Sequence, residues 1–165
     1  MPSEMESELR FGTGASPALL VDVEGCLRVG GSFSDELGSA IERWLELAAL
    51  SNEEFVVVVW SSEAESAREG ARWLGQRLHR RVVGIEKSGL SLGRVRPSDV
   101  VVDDDESWLL LVSALGPTSM TPARFMAMVE AENLAHRRWN VAQFYAAGRL
   151  LTASPVSSRP SMKMI

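Results

Sequence analysis

Apolar residues in this chain fall into short unbroken runs, separated by longer stretches in which they recur every three or four positions. The first run, ALLVD at residues 18–22, stops at an acid, as expected of a strand buried on both faces. FVVVVW at residues 55–60 repeats that shape, and its β-branched residues suit a pleated strand. Residues 81–85 are a weaker strand candidate, and residues 99–102 a short fourth that runs into acids. Between the strands lie helical patterns. Residues 34–50 place Leu37, Ile41, Trp44, Leu45 and Ala48 on one stripe behind Ser34 as N-cap. Residues 62–79 open with Ser62 as cap and acids in the first turn, then space Ala67, Ala71, Leu74 and Leu78 helically. Thr121 as N-cap and Pro122 at the first helical position start a third helix that runs to about residue 150. This alternation predicts an α/β fold, a three-layer α/β/α Rossmann-like parallel sheet with a long C-terminal helix. The 18–22 strand is expected at its centre, between the 55–60 strand and the strand ending at Asp103.

Length and composition bound what such a fold can be. With 165 residues, 45% of them apolar, the chain holds one domain with a real core. That domain is expected over residues 17–150, with flexible segments at 1–16 and 151–165, which are polar and rich in Gly, Ser and Pro. A net charge of -5 argues against a broad nucleic-acid-binding surface, so nucleic acid enters only as a substrate. Cys26 is the single cysteine, which rules out an intrachain disulfide and fits a reducing compartment. The start, MPSEMESELR, carries acid where a signal peptide carries base, and no apolar run approaches the roughly 20 residues of a membrane span. A soluble, cytoplasmic protein without a membrane partner is the expectation.

In a doubly wound sheet, ligands bind beyond the carboxyl ends of the strands. Here those ends read Asp22-Val23-Glu24-Gly25, Ser61-Ser62, a following Lys87, and Asp103-Asp104-Asp105-Glu106. Carboxylates converging with a hydroxyl and a lysine make a hard-oxygen site suited to Mg2+. Without a cation, buried carboxylates repel one another and take up protons. Each feature also has a plainer reading. Asp22 to Gly25 alone is more often a turn, Asp103 to Glu106 a solvated helix start, and Ser61 or Ser62 a cap. Lysines such as Lys87 are usually solvated. Cys26 reads as a small packed residue, His79 and His136 as surface residues, and Trp44, Trp73, Trp108 and Trp139 as core or interface.

Taken in order, ALLVDVEGCL, VVVVWSS, Lys87 and VVVDDDESW resemble the four motifs of the haloacid dehalogenase (HAD) superfamily, over residues 17–106. The stretch from Leu115 to Pro122 also resembles the ending of small HAD domains found beside nucleic-acid-repair modules. The resemblance implies that Asp22 is a nucleophile forming an aspartyl phosphate and a Mg2+ ligand. It implies that Ser61 and Lys87 hold the phosphoryl group, and that Asp103 and Asp104 hold the metal, the second more directly. The Glu24 carbonyl joins the metal set, while its side chain stands where the superfamily has the Asp that protonates the leaving group, one methylene longer. The segments 26–54 and 63–86 each hold one connecting helix, so the domain is expected to be capless, with an open site that admits bulky or polymeric phosphorylated substrates. The implied function is a Mg2+-dependent phosphohydrolase, a phosphomonoesterase. The alternative is a catalytically silent HAD-like binding module, suggested by Glu24 and by the long helix. That helix carries Met126, Val129, Leu134, Trp139, Val141, Phe144 and Tyr145, an apolar surface suited to a homodimer.

Overall fold

The computed structural model describes residues 16–163, and side chains as far as Gly148. Five strands, β1 (Ala18–Asp22), β4 (Val56–Ser61), β5 (Val83–Glu86), β6 (Val100–Val102) and β7 (Thr118–Met120), form one parallel sheet in the order β5-β4-β1-β6-β7. The strand of Asp22 is therefore central, between β4 and β6, as expected. Two short strands, β2 (Arg28–Val29) and β3 (Ser32–Phe33), pair as a hairpin just after β1. The helices are α1 (Asp35–Leu50), α2 (Ala64–Leu78), α3 (Gly89–Leu92), α4 (Glu106–Ser113) and α5 (Pro122–Lys163).

Successive side chains of a strand point to opposite faces, so a run apolar at every position needs cover on both. In β1, Leu19 and Val21 join a core built with Leu37 and Ile41 of α1, Leu74 of α2, and Phe125 and Val129 of α5. Ala18 and Leu20 join a second core with Trp60, Val95 and Val112, against which Trp108 and Leu109 of α4 pack. Helices thus cover both faces. Truncating a buried leucine in either core would cost about 2–5 kcal/mol.

The predicted caps hold with one exception. Ser34 Oγ accepts from Leu37 N at 3.1 Å, and Thr121 Oγ1 from Arg124 N at 3.3 Å. Ser62 caps nothing: α2 starts at Ala64 after Glu63, and it is Ser61 Oγ that accepts from Glu63 N at 3.3 Å. Ser61 ends β4 and is buried, so its hydroxyl lies under the turn that Ser62 only passes through.

The chain divides into two units, one ending at Val129 and the other beginning at Glu130. The first contains the sheet. The second is helical and exposes Leu134, Trp139, Val141, Phe144 and Tyr145. α5 continues to Lys163, past the end expected near residue 150, although Pro155 and Pro160 lack the N–H that a helix interior uses. Side chains of the tail expected over 151–165, and all of the N-terminal segment expected over 1–16 except Ser16, lie outside the described residues. Among the described residues, no helix is long and apolar enough to cross a membrane.

Candidate active site at the carboxyl edge of the sheet

Backbone pairing brings the ends of four strands level. Asp22 is in register with Trp60, the residue before Ser61, and Val21 with Val102, the residue before Asp103. Lys87 N donates to Ser61 O at 2.7 Å and Asp103 N to Met120 O at 3.1 Å, so both pairings run one residue past their strands. Asp22, Ser61, Lys87 and Asp103 therefore share one edge. The lysine, two strands from Asp22, has the reach to cross β4, and its Nζ lies 2.8 Å from Asp22 Oδ1 and 2.6 Å from Asp103 Oδ2. The rings of Trp60 and Trp108 meet edge to face at 5.3 Å, and the ammonium stands 5.9 and 5.4 Å from their centroids. An aromatic corner on a mostly buried stem keeps the charge aimed at the two carboxylates.

The electrostatics follow from crowding at low exposure. Burial first, and then the Asp103 carboxylate, pushes the Asp22 carboxyl up to about 7, against the lowering influence of Lys87. Burial likewise lifts Asp103, although Lys87 and the Asp105 N–H favour its charge. For Lys87 burial works against the ammonium, but Asp103 and Asp22 outweigh it and hold the group above the ordinary lysine range. One cation is shared by two buried carboxylates, and a third acid stands beside them.

That third acid is Asp104. Gly25, at φ +81°, turns the chain after β1 in a conformation that favours glycine, and a Cβ there would overlap the Asp104 carboxylate and displace it. Asp22, Cys26 and Asp104 each present a ligand atom within 4.8 Å of the others. Cys26 Sγ lies 3.9 Å from Asp104 Oδ1, and burial pushes its thiol far above the usual range, so it is a protonated neighbour rather than a nucleophile. Asp105 does the helix work: its side chain accepts from Ser107 N and Trp108 N at 3.0 and 3.2 Å.

Glu24 is the candidate whose side chain is drawn elsewhere. Its Oε1 accepts from Arg28 Nη2 at 2.6 Å and Nε at 3.0 Å, while Arg28 Nη1 reaches Glu69 Oε2 at 2.7 Å. The guanidinium offers a paired partner on the far side of the turn, and the carboxylate takes it. Sequence reading passed over this pair, as it did the Trp60–Trp108 corner. An Arg four residues after Glu24 was the available signal for the first; nothing local announced the second.

Compared with known proteins, the chain matches no family model, no curated protein and no solved structure.

Proposed function

We propose that this chain is a HAD-like, Mg2+-dependent phosphomonoesterase whose nucleophile is Asp22. The observation that carries the reading is Lys87 Nζ set between Asp22 Oδ1 and Asp103 Oδ2 at the edge of the central strands. A carboxylate held in place beside a buried cation is suited to attack phosphorus while that cation neutralises the phosphoryl oxygens. The donor set fits Mg2+: Asp22 and Asp104 offer hard oxygens close together, whereas the buried, protonated Cys26 thiol is a poor ligand for it. Asp22 and Asp104 would hold the ion, with Asp103 occupied by Lys87 and by Asp105 N at 2.9 Å. Bound there, Mg2+ would offset the crowded negative charge and polarise the phosphoryl group.

In this reading an Asp22 carboxylate oxygen forms a bond to phosphorus as the ester P–O bond breaks, leaving an aspartyl phosphate and an alkoxide or phenoxide. Water then attacks that phosphorus, the bond to Asp22 breaks, and inorganic phosphate departs. Ser61 Oγ accepts from Glu63 N and keeps its own proton to donate to a phosphoryl oxygen. Lys87 offsets charge throughout. A basic alkoxide needs a proton donor, and Arg28 holds the Glu24 side chain away from that task; a phenoxide leaves without one. That clamp also favours the second reading, a catalytically silent binding module, as do the exposed apolar residues of α5.

Release of inorganic phosphate from aryl phosphates and alkyl phosphates, with Mg2+, tests the proposal. Wild type should turn over and Asp22→Asn should lose several orders of magnitude, since an amide forms no acyl phosphate. Equal rates in the two proteins would refute it. Inactive wild type alongside active Glu24→Asp would instead favour the silent module.

A further inference from the structure

A pocket of about 440 Å³ opens beside the carboxylates, within the size range of small-molecule sites. Most of its lining surface is apolar, from Cys26, Val29 of the hairpin, Leu37 of α1, and Pro122 and Met126 of α5, with the hydroxyls of Ser34 and Thr121 among it. Its acids are Glu36 and Asp104, and no Lys or Arg is among the described residues that line it. Cys26 and Asp104 belong at once to this pocket and to the cluster around Asp22, so the two spaces share a wall. The cavities beside Phe55 lie at the opposite, amino ends of β1 and β4 and touch none of these residues.

We infer that the phosphate ester carries an apolar organic group without negative charge, seated in this pocket with its phosphate toward Asp22. The inference rests on the phosphomonoesterase reading and narrows it. Apolar walls favour an aryl or branched alkyl group by removing its surface from water. Glu36, with no basic residue among the described lining residues to answer a second phosphate, opposes a polyanion such as a nucleic-acid end. A bulky polymeric phosphate, expected from the open site alone, is thereby disfavoured. An aryl group suits the chemistry as well, because its phenoxide leaves without a proton donor, and the Glu24 side chain is turned toward Arg28.

Calorimetry on full-length Asp22→Asn separates binding from turnover, with 2-naphthyl phosphate, inorganic phosphate and a 5′-phosphorylated oligothymidylate as probes. The naphthyl ester should bind at least about tenfold more tightly than inorganic phosphate, and the oligonucleotide no better than inorganic phosphate. Adding Val29→Asp, at an exposed position, should erase that advantage. Met126→Ala, with its melting temperature checked because Met126 packs on the core, should reduce it severalfold. Equal binding of naphthyl phosphate and inorganic phosphate, tighter binding of the oligonucleotide, or an advantage unchanged in both variants would overturn the inference. Hydrolysis of naphthyl phosphate by an otherwise wild-type chain, with kcat/KM untouched by Val29→Asp, would also overturn it while leaving the phosphomonoesterase reading standing. A naphthyl advantage that depends on Val29, with no hydrolysis by wild type, would uphold the pocket and overturn the phosphomonoesterase.

Discussion

Asp99 and Asp103 stand at the two ends of the three-residue strand β6, both buried and both lifted by that burial above the ordinary carboxylate range. Their partners differ. Asp99 spends its two oxygens on backbone, accepting from Ala18 N at 2.9 Å and Arg96 N at 2.8 Å, and so ties the start of β1 to the loop that enters β6. Asp103 gives one oxygen to Asp105 N and turns the other to Lys87, which it shares with Asp22. A buried acid answered by fixed amides is a strut. A buried acid that shares one lysine with a second acid, beside a third, is a crowded charged centre of the kind that candidate functional sites show. The sheet therefore has one end where the buried acid is answered by backbone amides and one, the candidate active site, where it is answered by Lys87, and β6 carries an acid at each.

The largest effect that separates the two should be on turnover. Asp103→Asn, measured as kcat/KM on an aryl phosphate, should cost about 10²- to 10³-fold, as expected when one preorganised charge is lost. Asp99→Asn should stay within about twofold. Comparable losses in both would erase the distinction.

Stability should divide them in the opposite sense. Asp99→Ala leaves the N–H groups of Ala18 and Arg96 without acceptors and should lower the free energy of unfolding by about 2–4 kcal/mol in urea. Asp103→Ala, which also relieves carboxylate crowding, should cost less than half as much. A larger loss at Asp103 would mean that the Lys87 bridge is a structural brace first.

The smallest effect is a pH dependence. Asp22 in the fold sits at about 7, above the roughly 4 of an unfolded aspartate. Its contribution is therefore complete below about pH 4 and is lost as pH rises through 7. An amide has no such loss, so without divalent cations the melting temperature of Asp22→Asn relative to wild type should rise by a few degrees between pH 5 and pH 8. A difference flat with pH would show that Lys87 already neutralises Asp22 fully.

How much of this was legible in the sequence follows from what each element buries. β1 and β4 are covered on both faces, so they were written as unbroken apolar runs, and the acids that end β1 and β6 stood out against them. β7 is an edge strand of Thr118, Ser119 and Met120 with only Met120 buried, and no periodicity marks it. The β2–β3 hairpin and α3 are too short to show a pattern. Asp22, Ser61, Asp103 and Asp104 were readable because strand ends announce them. The setting of Lys87 depends on Trp60 and Trp108, one on a strand and one on a helix. The diversion of Glu24 depends on Arg28 and on Glu69, which lies 41 positions beyond Arg28. Contacts of that range leave no local signature.

The central claim, that Asp22 is a carboxylate poised to bond a phosphoryl group, can be tested without knowing the substrate. Beryllium trifluoride mimics a phosphoryl group by bonding to a carboxylate oxygen, and its effect on the melting temperature reports the site directly. With Mg2+ and beryllium trifluoride together, wild type should gain about 5 °C or more over Mg2+ alone, while Asp22→Asn gains nothing. No gain in wild type, or the same gain in both proteins, would contradict the account.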